Sequence, residues 1–193
     1  VMVVVLSLCA VFIHLTDADR NDDCHQPDPP LPPALERMER IFRCAAELSP
    51  ESPFNDPVSE QALLWFIFGA GRDVDVPQEC SSTFGMLYSM ILLRESLHVH
   101  DPSWYSNDHQ LCSHWTRVHC TSDNIVTGLV LNHADLTGTI TVIHGLSSLT
   151  SLELYSNPVL GGTIPTEMGL WTSMKHLSLQ QTRVHGTIPT ELG

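Results

Sequence analysis

Residues 126–140 (VTGLVLNHADLTGTI), 149–169 (LTSLELYSNPVLGGTIPTEMG) and 174–193 (MKHLSLQQTRVHGTIPTELG) are three versions of one unit. The isoleucines Ile140, Ile164 and Ile188 recur at intervals of 24 and 24, and the leucines Leu131, Leu154 and Leu179 at 23 and 25. One extra residue in the Asn157–Gly162 turn accounts for the uneven step. Each unit reads LxxLxL, a turn, then LxGTIP. Side chains two apart on a strand point the same way. Leu129 with Leu131, Leu152 with Leu154, and Leu177 with Leu179 therefore fill a common core, and the strands pair as a parallel ladder. A single unit cannot bury its apolar face, whereas stacked units bury a continuous one. The expected fold is a right-handed α/β solenoid of about three repeats, preceded by a helical block.

The turns carry further signals. An Asn after LxxLxL can turn inward and satisfy the backbone of adjacent units. Only Asn157 holds that position, with Ala134 and Thr182 in its place elsewhere, so the Asn ladder is incomplete. Gly138, Gly162 and Gly186 are read as permitting a tight turn on the return side. Pro165 and Pro189 fix φ just after the isoleucine.

LGGTIPTEMG and HGTIPTELG resemble the plant-type leucine-rich repeat, whose units end in LxGxIPxxLG. CSHWTRVHC (112–120) resembles the CxWxGVxC cap that precedes such repeats, with Arg117 where Gly is usual. ALLW (62–65), a segment ending in MLYSMILL (86–93), then Trp104 and the cap follow an order similar to leucine-rich-repeat proteins common in diatoms, membrane-anchored or secreted. Cap and repeats cover 112–193, and the helical similarity extends back to residue 34. The resemblance implies a disulfide between Cys112 and Cys120, covering the open end of the first unit. Disulfides also suit a short secreted module with a thin core. Five cysteines lie outside the first apolar run, an odd number, and spacing leaves the pairing of Cys24, Cys44 and Cys80 open.

Upstream, VMVVVLSLCAVFIHL (1–15) reads as the end of a transmembrane helix or the core of a signal peptide, with a buried core helix as the other reading. Residues 16–33, acidic and then proline-rich, read as a stalk. Leu35, Met38, Ile41, Phe42, Ala45 and Leu48 share one helical face. A second helix is expected from Pro57 to Phe68, capped by Asp56 and closed by Gly69, with QALLWFIF deeply buried. A third covers 82–97, with Phe84, Leu87, Tyr88, Ile91 and Leu92 on one side. The domain division is thus 1–15 membrane or signal segment, 16–33 stalk, 34–110 helical block, 111–124 cysteine cap and 125–193 repeats. GTIPTELG ordinarily leads into another unit, so truncation at Gly193 is expected, with Ile188 and Leu192 exposed at an open, aggregation-prone edge.

The net charge of −13 and the lack of a basic stripe argue against nucleic acid as a partner. Eleven histidines are present. His98 and His100 form an HxH step, but neither they nor His109, His114 and His119 reproduce a zinc module, and two disulfide-bonded cysteines cannot also bind zinc. Neither a metal nor any other cofactor is expected; histidine content instead admits pH-sensitive association near a pKa of about 6.5. Asp101, His109 and Ser113 supply the residue types of a triad, yet GxSxG, P-loop and HExxH motifs are absent and no catalytic site is assigned. No N-x-[ST] sequon occurs.

The candidate binding residues are the outward ones of the strands: Val130, Asn132 and His133; Glu153, Tyr155 and Ser156; Ser178, Gln180 and Gln181. Tyr155 is the one large aromatic among them, a type that anchors interfaces. The competing reading is solvated strand surface with no ligand. The expected function is extracytoplasmic recognition of a protein, peptide or glycan, without enzymatic chemistry, with the N-terminal segment engaging a membrane or secreting the chain. Three other readings are the sensor of a receptor-like kinase, a structural or adhesive surface protein, and a polygalacturonase-inhibitor-like protein.

Overall fold

The computed structural model describes residues 33–48, 57–69, 82–105, 110–140 and 146–190, with positions 76 and 80. The apolar run 1–15, the stalk apart from Pro33, the Asp56 cap, His109 and Leu192 lie outside them. Among the described residues, α1 spans Pro33–Leu48, α2 Pro57–Phe68 and α3 Ser82–Leu97; a 3-10 turn at Pro102–Tyr105 leads to the one-turn α4, Leu111–His114. The strands are β1 (Val118–Cys120), β2 (Val126–Val130), β3 (Ser151–Glu153) and β4 (His176–Ser178), with a second 3-10 turn at Thr166–Leu170. No described helix is long and apolar enough to cross a membrane.

The helices follow from their patterns. α1 buries Ile41, Phe42, Cys44 and Ala45 along one face. α2 opens on Pro57, where a missing N–H costs nothing. Gly69 closes it by donating its N–H to the Trp65 carbonyl at 3.0 Å. α2 is less buried than its composition suggests: Ala62, Leu63 and Phe66 are covered, but Phe68 is 59% exposed. Among the described residues it rests against α1 and α3. α3 is the central helix, buried from Leu87 through Arg94 and again at Ser96 and Leu97. Phe66, Phe84 and Tyr88 pack ring against ring between α2 and α3. Cys44 and Cys80 form a disulfide that ties α1 to the approach to α3.

Arg94 is buried to 3% exposure, costly unless its charge is answered. Its guanidinium pairs with Glu95, donates to the Trp104 carbonyl at 3.0 Å, and lies 4.6 Å from the Tyr105 ring centroid. Tyr105 in turn has its phenol pushed upward by burial and by Glu95, with Arg94 opposing.

The strands form one mixed sheet in the order β1-β2-β3-β4. β1 and β2 are an antiparallel pair with an irregularity between His119 and Cys120. β2, β3 and β4 are parallel, with Leu129 opposite Leu152 and Leu152 opposite Leu177. These partners are separated by the same 23 and 25 residues that the repetition shows.

This corrects the expected architecture. Among the described residues no repeat solenoid is seen; they form a small α/β fold with a four-stranded mixed sheet packed on helices. The repetition sets which strand residues align, but a solenoid also requires units that contact only their neighbours. Here the first unit is bound to the helical part instead. Thr139 N–H donates to the Ser96 carbonyl at 3.1 Å, Thr137 N–H to Leu97 at 3.4 Å, and His98 Nδ1 meets Thr137 Oγ1 at 2.8 Å. Among the described residues the return side carries the isolated bridges Thr139–Gly161 and Thr163–His185, with N–H groups of Gly161, Arg183 and His185 donating to the carbonyls of Gly138, Leu160 and Gly162. The antiparallel β1 also ends the parallel ladder at β2.

The glycines divide accordingly. Gly162 and Gly186 adopt φ of 86° and 94°, where side chains are strained. Gly138 serves differently: a Cβ there would lie 1.6 Å from the Ser96 carbonyl oxygen. Its missing side chain lets the first unit pack directly on the C-terminal end of α3.

Candidate functional site

The pleat separates two sets of residues. Leu129, Leu131, Leu152 and Leu154 are completely buried, and the residues alternating with them face outward. The register places Gly128, Ser151 and His176 in one outward row and Val130, Glu153 and Ser178 in the next. The ladder continues past the strands, with Leu131 N–H to Glu153, His133 N–H to Tyr155, Leu154 N–H to Ser178 and Ser156 N–H to Gln180. Asn132, Tyr155 and Gln180 thereby follow as a third row. His133, Ser156 and Gln181 then each turn left-handed, with φ of 52°, 57° and 56°. None of these is a glycine, so the repeated turn is not visible in composition.

Each predicted site residue is held by a neighbour. Asn132 is 9% exposed and lies beneath the surface rather than on it. Its Oδ1 accepts the Tyr155 N–H at 3.1 Å, and its Nδ2 donates to Glu153 Oε2 at 2.8 Å. Ser178, 5% exposed, is likewise covered, and its hydroxyl donates to Gln180 Oε1. The Ser156 hydroxyl donates to Gln181 Oε1. The His133 and Tyr155 rings meet at 85° with centroids 5.3 Å apart. Glu153, Tyr155 and Ser156 are partly exposed, while His133, Gln180 and Gln181 are exposed. The covered members position the others.

Asn157 supports the face from behind, completely buried. Its Oδ1 accepts the N–H groups of Ala134 and Leu136, both at 3.1 Å, and its Nδ2 donates to the Leu131 and Leu154 carbonyls at 2.9 and 2.8 Å. Both ends of the amide are thus satisfied across two units. In the next unit Thr182 only returns to the Leu179 carbonyl and accepts the Val184 N–H.

The first strand edge is closed by the cysteine loop. Cys112 and Cys120 are disulfide-bonded. Between them Trp115 packs on the completely buried Trp104, with centroids 4.8 Å apart. Trp104 Nε1 donates to the Thr116 carbonyl at 2.9 Å, and Ser103 Oγ accepts the Thr116 N–H at 3.0 Å. Asp101 accepts from the Ser103 N–H, the Ser103 hydroxyl and the Thr116 hydroxyl, with Arg117 Nε at 3.8 Å. Burial pushes the Asp101 carboxyl up, but the Thr116 and Ser103 hydrogen bonds and the Arg117 charge together hold it below the ordinary carboxylate range. Arg117 Nη1 also donates to the Asn132 carbonyl at 2.9 Å, joining this latch to the outward face.

The other residues singled out are dispersed. Asp101 is engaged as above, while the Ser113 hydroxyl contacts Gln110 and His114. His98 bonds Thr137, His119 covers Gly128, and His100 is exposed. Among the described residues no cluster of three or more His, Cys, Asp or Glu side chains could hold a metal. A cleft of about 370 Å³ lies between Thr83, Met86 and Leu87 of α3 and Gln110–Ser113, bordered by Asp123 and Asn124. No residue of the strand face lines it, and no sequence motif announced it.

In comparisons with known proteins, the chain matches no protein-family model and no curated protein sequence.

Proposed function

We propose that this chain is an extracytoplasmic recognition module that binds a protein, peptide or glycan through the outward face of its parallel strands. The observation that carries this reading is the repetition of one outward position on successive strands, with each polar side chain fixed by a neighbour. Pre-fixed side chains lose less freedom on binding, so more of the contact energy reaches affinity. The resemblance of LxGTIP and of the 112–120 loop to plant-type leucine-rich-repeat proteins supports the same reading. Two disulfides favour an oxidising, extracytoplasmic setting. The apolar run 1–15 is assigned to membrane anchorage or secretion on its composition alone. No covalent chemistry enters the proposal.

The test is a binding screen of the purified chain against arrayed extracellular proteins, peptides and glycans, alongside the double variant Glu153→Ala/Tyr155→Ala. A ligand retained by the parent and lost by a correctly folded variant supports the strand face. Equal binding by both moves the site elsewhere.

A further inference from the structure

The groups left open on the strand face have a definite chemistry. Asn132 and Ser178 are covered, and each exposed polar side chain uses one end on a neighbour. Glu153 commits Oε2 to Asn132 and leaves Oε1 as an acceptor. Gln180 and Gln181 use their oxygens on Ser178 and Ser156, which turns both amide NH₂ groups outward as donors. The Tyr155 ring stands among them, braced at a right angle by His133. The open groups are therefore the Tyr155 ring with its hydroxyl, the exposed His133 imidazole beside it, one carboxylate oxygen and two amide donors.

We infer that this face is a subsite for a neutral oligosaccharide, with Tyr155 as the platform and Glu153, Gln180 and Gln181 as its hydrogen-bonding rim. This rests on the strand face being the binding surface. A sugar hydroxyl donates to a carboxylate and accepts from an amide at once, which matches the open donors and acceptor. The ring offers apolar area with a polar tip, suited to the C–H face of a pyranose. Anionic ligands are disfavoured by Glu153 and by the chain's charge of −13. Protein partners are favoured by several aromatic, Met or Arg anchors around a desolvated centre. Here Tyr155 is the one large aromatic, and the Arg117 guanidinium is turned to the Asn132 carbonyl.

The test is a titration of the full chain with cellopentaose, mannopentaose and xylopentaose, with pentagalacturonate and a mixed peptide library as comparators, read by saturation-transfer NMR. Tyr155→Ala and Tyr155→Phe are checked first by circular dichroism for an unchanged fold. The expected result is saturable binding of a neutral pentasaccharide, weakened about tenfold or more by Tyr155→Ala and less than about threefold by Tyr155→Phe, with pentagalacturonate weaker. Tyr155-dependent binding of peptides without any neutral saccharide overturns the sugar assignment and leaves the strand face as the binding surface. Saccharide binding indifferent to Tyr155→Ala overturns the subsite. Binding of no probe of any class overturns both readings.

Discussion

The second and third repeat units have almost the same pattern and different fates. In the second, Leu152, Leu154 and Leu160 are completely buried. In the third, Leu177, Leu179 and Val184 are only partly buried, and Ile188 is 74% exposed. The side chains are the same or similar; what differs is how far the described residues around them cover them. Burial in this half of the molecule is conferred by the neighbour, not by the unit itself. The helical half behaves otherwise, since α3 is surrounded and the Cys44–Cys80 disulfide closes that part across 36 residues.

The strongest way to break the comparison is at the joint on which the first unit depends. Gly138→Ala places a methyl group into the Ser96 carbonyl, and neither backbone can yield. A loss above about 4 kcal/mol, or failure to fold, is expected by urea denaturation. Gly186→Ala in the last unit meets only the Thr163 side chain, at a positive φ, and is expected to cost about 1 kcal/mol. Equal effects would show that the first unit does not depend on the helices.

A paired truncation sharpens it. Leu154→Ala empties a fully enclosed site and is expected to cost about 3 kcal/mol. Leu179→Ala, in the open layer, is expected to cost about 1 kcal/mol, since its side chain loses less on removal. Equal losses in thermal or urea melts would mean that the third layer is covered in solution.

The smallest effect lies at the latched edge. Asp101 has a depressed carboxyl in the folded chain, so its contribution is present above the ordinary carboxylate pKa and is lost as pH falls through the lower, folded value. Asp101→Asn is expected to cost up to about 1 kcal/mol at neutral pH, with the difference from the parent closing in acid. A gap that stays constant down to acid pH would remove the carboxylate from the latch.

Much of this is legible in the sequence. The intervals of 23 and 25 carried the strand register, because identical apolar positions must align to be buried together. The helical periodicity located α1 and α3, and the end signals Pro57 and Gly69 located α2. The Cys112–Cys120 bond came with the resemblance of 112–120, whereas Cys44–Cys80 spans 36 residues with no local pattern to betray it. The solenoid was the overreach: repetition encodes neighbour pairing, and it is silent on α3 docking against Gly138. The outward residues were legible as a set, but Asn132 and Ser178 proved to be supports, since strand parity gives direction and not depth. Arg94 gave no signal, because nothing in RESL states that its charge will be buried and answered by Glu95 and Tyr105.

The Trp104–Trp115 pair gives the molecule an internal optical gauge. Its two indoles, 0% and 3% exposed and 4.8 Å apart, sit where the Cys112–Cys120 loop meets the segment following α3. Coupled transitions of neighbouring indoles give a near-ultraviolet circular dichroism signature that depends on fixed packing, not on backbone content. Loosening of that loop is thereby readable without any label, at wavelengths where strand and helix content contribute nothing.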